Sequence, residues 1–295
     1  MTPATRSAWW GVVLLAVAIV IGGLTFTWFL GSVLVRSLSA KVSPSPAPAQ
    51  ELTIVTADGL ALEATYWPGK RSDAPGVLLL HGNGASRMQT AENAAWLATQ
   101  GYAALAIDFR GNGASPPSAH SFGWIESRDA HAAFAWLQRA QHGARIGVIG
   151  ISMGGAAALL GSEGPLPADA LVLQAVYSDI RHTIRNRMAS MMTRAPATCF
   201  EPLLSYQSRL RFGVWPSQLS PINALSRYLG PVLVLGGASD PFTPPDETRR
   251  VYDAVPGVRE LWIVPGQSHE GMSDLRSPEY RQRLLSFFQR TIGAP

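Results

Sequence analysis

The sequence predicts an α/β domain, a mostly parallel twisted sheet covered by helices on both faces, carried behind one N-terminal transmembrane helix. Three observations predict it. From Ser7 to Val35 no residue is charged. From Glu51 onward, short apolar runs alternate with helical stretches, the pattern of parallel strands joined by crossover helices. Midway, at Gly150-Ile151-Ser152-Met153-Gly154, a serine framed by glycines stands between an apolar run and a small-residue helix.

The N-terminal run has Arg6 before it and Arg36 and Lys41 after it. A bilayer core needs roughly 20 apolar residues in a helix, and this run is longer. Trp9 and Trp10 near one end and Trp28 near the other suit the two interfaces. A cleaved signal peptide would carry an apolar region of only about 7–15 residues and a small-residue cleavage site, which is not found here. The expectation is therefore an uncleaved single-pass anchor over residues 1–36, meeting the bilayer through residues 8–35. Basic residues on the two sides nearly balance, and the domain behind the anchor is expected on the non-cytoplasmic side. Residues 37–50 form a linker, and its alternating prolines at Ser43 to Gln50 favour an extended spacer holding the domain off the bilayer.

The remaining 51–295 is long enough for one sizeable domain. Glu51–Ala57 and Ala61–Trp67 read as strands joined at Asp58-Gly59, an antiparallel hairpin at the sheet edge. Gly76–Leu80 and Tyr102–Ile107 are apolar strands around a helix at Ala91–Gln100. Ser121–Gln141 reads as a long helix. Strands follow at Ile146–Ile149, Ala170–Val176, Pro231–Leu235 and Glu260–Val264, with helices within Thr243–Val255 and over Pro278–Ile292. From about 178 to 223 the chain leaves this rhythm, and an insertion just after a strand end is read as a lid over the site.

Composition narrows the function classes. The net charge of +4 comes from scattered arginines without a nucleic-acid motif, so no nucleic-acid partner is expected. One cysteine, Cys199, allows neither an intrachain disulfide nor a cysteine-built metal site. No metal or organic cofactor is expected, and nothing in the sequence sets an oligomeric state.

The serine pentapeptide carries the chemistry. A strand-to-helix turn holds its central residue in a strained conformation, and glycines on either side remove the clash of neighbouring β-carbons. The hydroxyl then projects from the sheet edge over a helix N-terminus. Together with His81-Gly82-Asn83-Gly84, Asp108-Phe109-Arg110-Gly111-Asn112-Gly113, Gly237-Ala238-Ser239-Asp240 and Gly266-Gln267-Ser268-His269, it resembles the serine α/β-hydrolase superfamily over nearly all of Glu51–Ile292. Within it, the chain looks most like membrane-anchored α/β-hydrolases and the dienelactone-hydrolase and serine-aminopeptidase-like groups. Phe122-Gly123-Trp124-Ile125-Glu126 with Asp129, and Ser220-Pro221-Ile222-Asn223, also resemble their pattern. The resemblance implies an α/β-hydrolase fold with an inserted lid.

Serine is too weakly acidic to attack a carbonyl at neutral pH unless a base takes its proton. Ser152 is the expected nucleophile and His269, in the loop after the last strand, the expected base. The chain order Ser…Asp…His suits this fold. Asp240 is expected to orient the imidazole, with Asp179, after the preceding strand, as rival. Met153 is expected to give one oxyanion N–H, and the resemblance implies Asn83 for the other. His81 is read as structural, Asp108 as an ion pair with Arg110, and His120, His131, His142 and His182 as solvated. The function expected is cleavage of carboxylic ester or thioester bonds in a small-molecule or lipid-like acyl ester. A serine peptidase of the same fold and an inactive binding module are the alternatives. Six lid arginines interleaved with methionines and aromatics raise a further expectation, contact with anionic membrane.

Overall fold

Strands whose every residue is apolar must be covered on both faces, and the central strands of this chain obey the rule. The computed structural model describes residues 3–294. A long helix, α1 (Pro3–Leu34), leads into a two-residue strand, β1 (Leu38–Ser39). Then come β2 (Gln50–Val55), β3 (Ala61–Trp67), β4 (Gly76–Leu80), α2 (Met88–Thr99), β5 (Ala103–Ile107) and a short β6 (Asn112–Gly113). Next are α3 (Glu126–Ala140), β7 (Ile146–Ile151), α4 (Met153–Ala157) and β8 (Ala170–Gln174). The insertion is helical: α5 (Ile180–Ala189), α6 (Arg194–Ser205), α7 (Gln207–Phe212), a 3₁₀ turn at Pro216–Gln218 and α8 (Pro221–Leu225). The chain closes with β9 (Val232–Gly237), α9 (Pro245–Asp253), β10 (Arg259–Val264), α10 (His269–Ser273) and α11 (Pro278–Thr291).

Eight strands form one sheet in the order β10-β9-β8-β7-β4-β5-β3-β2. The pairs from β10 to β5 are parallel, and β3 is antiparallel to both β5 and β2, which gives the expected antiparallel edge. Alternation along β4 sorts the core into two layers. Leu78 and Leu80 pack with α3, including Ala130, Ala133 and Leu137. Val77 and Leu79 pack with α2 and α11, including Leu97, Leu284 and Phe288. The parallel strand ends therefore share one rim, where chain segments leave the sheet and the candidate site lies.

Four expectations are corrected. The Ser121–Gln141 helix begins only at Glu126, because the buried Glu126 carboxylate gathers the N–H groups of Ser121 (2.8 Å) and Gly123 (2.9 Å) into a turn in which Phe122 is left-handed (φ 58°). Asp108 pairs with Arg87, not Arg110, and also accepts the Arg87 N–H at 2.6 Å. Arg110 turns instead toward α3, where Asp129 lies at 2.6 Å, and to Asp58 at 2.8 Å. His120 is buried, its Nε2 3.1 Å from the Gly111 carbonyl oxygen. The linker does not stand free: β1 pairs with β6, and the Ser45 N–H donates to Glu51 at 3.0 Å. Its polar backbone finds partners on the domain, which costs less than leaving a stiff segment unsupported.

Trp9–Leu34 of α1 is long and apolar enough to cross a membrane, with mean hydropathy 2.4. Its last turns touch the lid: Leu30 packs on Met188, Ala197 and Leu204.

Candidate active site

Three parallel strands of one rim supply the three candidate side chains, with β8 standing between the strand that leads to Ser152 and the two that lead to Asp240 and His269. Ser152 follows β7, Asp240 follows β9, and His269 opens α10 after β10. Ser152 is half-buried with φ 49° and ψ −112°, so the expected strained turn is present. The glycines around it are sterically required. A β-carbon on Gly150 would stand 2.4 Å from Gly155 Cα, and one on Gly154 would stand 2.3 Å from the Leu80 carbonyl oxygen. The Ser152 N–H is anchored to Gln174 O at 2.8 Å.

Asp240 and His269 are brought together. His269 Nδ1 lies 2.7 Å from Asp240 Oδ2, with the carboxylate side chain fully covered and the imidazole mostly covered. The other carboxylate oxygen, Oδ1, accepts the N–H groups of Phe242 (2.8 Å) and Thr243 (2.9 Å), and the Thr243 hydroxyl donates to Oδ2 at 2.7 Å. Burial opposes the charge on Asp240, yet the hydrogen bonds from His269 and Thr243 outweigh it and hold the carboxyl below its usual range. Such a carboxylate is ionised at neutral pH and fixes the proton on Nδ1, leaving Nε2 as the basic nitrogen. Among the described residues no hydrogen bond links Ser152 Oγ to the His269 ring. Contacts of this kind are often loose without substrate and tighten when it binds.

The rival acid has a different occupation. Asp179 caps α5, accepting the N–H groups of Arg181 and His182 at 3.0 Å each, and its Oδ2 lies 2.6 Å from His182 Nδ1. His182 is therefore engaged rather than solvated.

The loop after β4 lies beside the serine, where a β-carbon on Gly82 would be 3.8 Å from Ser152 Cβ. Gly82 donates its N–H to Gln89 (2.8 Å) and Gly84 to Asn112 (3.0 Å). Among the described residues, the N–H groups of Asn83 between them and of Met153 after the serine donate to no protein acceptor. His81 ties this loop down as expected: its Nε2 accepts the Phe109 N–H at 3.0 Å and its Nδ1 donates to Gly82 O at 2.7 Å. Complete burial lowers its pKa to about 4, so the ring is neutral and structural.

Sequence reasoning missed the supports of this pair. Thr243, three residues after Asp240, follows the Asx pattern that would have marked it. Phe242 stacks edge-on against His269 with centroids 5.4 Å apart. Gln174, buried at the end of β8, bonds Met272 O and accepts the Tyr280 hydroxyl at 2.9 Å, which holds α10 in place. The Ser239 N–H donates to Gln267 O at 3.0 Å, joining the loops that carry the acid and the imidazole.

Comparisons with known proteins agree with this architecture. A family model described as serine aminopeptidase, S33, matches residues 73–214, and one described as PhoPQ-activated pathogenicity-related protein matches residues 211–294. The chain is 30% identical over 265 residues to the uncharacterized protein MT2364 of Mycobacterium tuberculosis, covering 88% of this chain and 87% of that one. Among solved structures, the Pyrococcus furiosus esterase Pf2001 superposes with a TM-score of 0.67 at 22% identity, covering 88% of this chain and 99% of that one. An acylaminoacyl peptidase of Pyrococcus horikoshii superposes with a TM-score of 0.61 at 16% identity, covering 83% of this chain and 42% of that one. At such identities the likeness to the solved structures concerns the fold. The chain belongs to the α/β-hydrolase superfamily. Its neighbours in that superfamily include both esterases and peptidases.

Proposed function

We propose that the protein is a membrane-anchored serine hydrolase that cleaves carboxylic ester or thioester bonds through Ser152, His269 and Asp240. The observation that carries this reading is the buried Asp240–His269 contact of 2.7 Å, on the same sheet rim as a serine held at positive φ. In the proposed reaction Ser152 Oγ attacks the substrate carbonyl carbon as His269 Nε2 takes its proton. The N–H groups of Met153 and Asn83 receive the oxyanion, and losing one such donor typically costs on the order of 10²–10³ in rate. The imidazolium, steadied by Asp240, protonates the leaving group as the carbonyl–heteroatom bond breaks. Water then attacks the acyl-enzyme with His269 as base and restores the serine.

A serine peptidase of the same fold is the second reading, favoured by the family model over residues 73–214. No acidic cluster that would hold a peptide amino terminus was found in the sequence, and the ester reading is preferred for that reason. An inactive binding module would have no use for this paired histidine and carboxylate. A panel of acyl esters, acyl thioesters and aminoacyl amides of graded chain length, ranked by kcat/KM on the full-length protein, tests the reading. Esters or thioesters should lead; amides leading would move the protein to the peptidases. In this reading the anchor crosses the bilayer with the domain on the non-cytoplasmic side, and protease added to that side should then remove the domain.

A further inference from the structure

The end of α1 is built into the lid. Arg211 of α7 reaches across to the helix, donating from Nη2 to Trp28 O at 2.7 Å and to Ser32 Oγ at 2.9 Å, with its guanidinium 3.9 Å from the centre of the Trp28 ring. Gln207 Nε2 donates to Thr27 O at 2.9 Å. Gly31 lets the two surfaces meet, since a β-carbon there would stand 2.0 Å from Gln207 Oε1. The lid thus engages α1 from Thr27 to Ser32 and leaves Trp9 to Phe26 bare. At about 1.5 Å per residue that bare stretch runs about 27 Å, close to the roughly 30 Å of a hydrocarbon core. If α1 spans a bilayer, the turns held by the lid stand at the headgroup level, and α6 and α7 lie there with them.

The outer face of those helices is apolar. Cys199 and Leu203, four residues apart on α6, share one exposed face, and exposed Tyr206 at the junction and Leu210 on α7 continue the apolar run next to Gln207 and Arg211, which grip α1. Leu210 is 77% exposed, and Met191, in the turn before α6, is 79% exposed. Water gains nothing from such a stripe, whereas an interfacial helix sinks its apolar face about 5–10 Å into the leaflet. Tyr206, edge-on to Trp215 at 6.3 Å, supplies the amphipathic rings common at that depth.

We propose that the stripe Cys199–Leu203–Tyr206–Leu210 lies in the phospholipid leaflet that α1 enters, so that the lid is an interfacial element of the anchor. The proposal rests on the reading of α1 as a membrane span. It deepens the proposed function, because the site would open onto amphiphiles already in that leaflet.

The single cysteine of the chain lies on the stripe and provides the probe. Full-length protein carrying bimane on Cys199 is reconstituted at one copy per nanodisc of phosphatidylcholine and phosphatidylglycerol. Emission should shift to the blue relative to the unfolded chain. Lipids with a nitroxide near the headgroup should quench it more strongly than lipids with the nitroxide at the chain end. In a Cys199→Ser background, the label on Leu229→Cys, exposed before β9, should report water. The double variant Leu203→Asp with Leu210→Asp should return the Cys199 label to water-like emission while turnover of a soluble short-chain ester stays unchanged. Discs in which the protein is embedded but the Cys199 label reports water and escapes both nitroxides overturn the proposal. The same result with shielding only in concentrated detergent assigns the stripe to a second copy and overturns it too. Failure of the full chain to float with vesicles would instead remove the anchor reading beneath it.

Discussion

The rim of the sheet and the joint between α1 and the lid are built on opposite plans. At the rim, short segments leaving strands of one sheet carry the candidate groups, and backbone shape does most of the positioning. Ser152 is held by its own turn, and Asp240 by N–H groups two and three residues ahead of it. At the joint, long side chains do the work: Arg211 and Gln207 reach backbone carbonyls of a helix some 180 residues earlier in the chain. The first plan leaves little room for substitution. The second rests on the ends of flexible side chains and leaves more. Chemistry belongs on the first and attachment on the second.

The sharpest way to break that contrast is at the rim. Ser152→Ala or His269→Ala should each lower kcat on the order of 10⁴–10⁶-fold, and the double variant no further, because the residues act as a unit. Asp240→Asn should lower it on the order of 10⁴-fold, since the amide no longer selects the Nδ1–H tautomer. Circular dichroism should match the parent in each case. Full activity in any of them would separate geometry from function here.

Backbone closeness gives the next largest effect. Gly154→Ala sets a methyl group 2.3 Å from the Leu80 carbonyl oxygen, which is backbone and cannot swing aside. Thermal unfolding should show a loss of about 1–3 kcal/mol or more, the range for overpacking. Gly31→Ala meets only the ends of the flexible Gln207 and Arg211 side chains, so a much smaller loss is expected there. Equal losses at the two glycines would erase the distinction between the plans.

Between the regions runs a connection that sharpens the comparison. Asn186 of α5 donates from Nδ2 to Phe242 O (3.0 Å) and to Glu247 (2.7 Å), and Phe242 packs on the His269 ring. Asn186→Ala should cost about 0.5–2 kcal/mol of transition-state stabilisation through the looser loop, read as a fall in kcat/KM. Restoration by Asn186→Gln would mark the effect as positioning.

A last test, on stability rather than turnover, concerns the pinning of the β4 loop. His81 is buried neutral, its pKa lowered from 6.5 to about 4, so the folded ring binds its proton less tightly than the unfolded chain does. Its contribution to stability is complete above about pH 6.5 and is lost as the pH falls toward 4. The Tm advantage of the parent over His81→Gln should therefore narrow between pH 7 and pH 4. A constant gap would contradict a neutral buried ring.

The same contrast explains what could be read from the residues alone. Fully apolar β4, β5 and β7, and the glycines at 150 and 154, announce a covered parallel sheet and its sharp turn because the constraint is local. Asp240 and His269 were legible through chain order. Arg110 with Asp129, the burial of His120 and the grip of Arg211 on Trp28 were not, because each joins segments that composition and spacing leave unrelated. The linker prolines signalled a stiff, extended segment and carried no sign of the surface it lies on.

The central claim, that Ser152 is the nucleophile activated by His269, is tested most directly by reacting the full-length protein with a fluorophosphonate and locating the adduct by mass spectrometry. The adduct should lie on Ser152, form in the parent and be lost in His269→Ala. Absence of labelling in correctly folded parent protein, or an adduct on another serine that persists in Ser152→Ala, would contradict it.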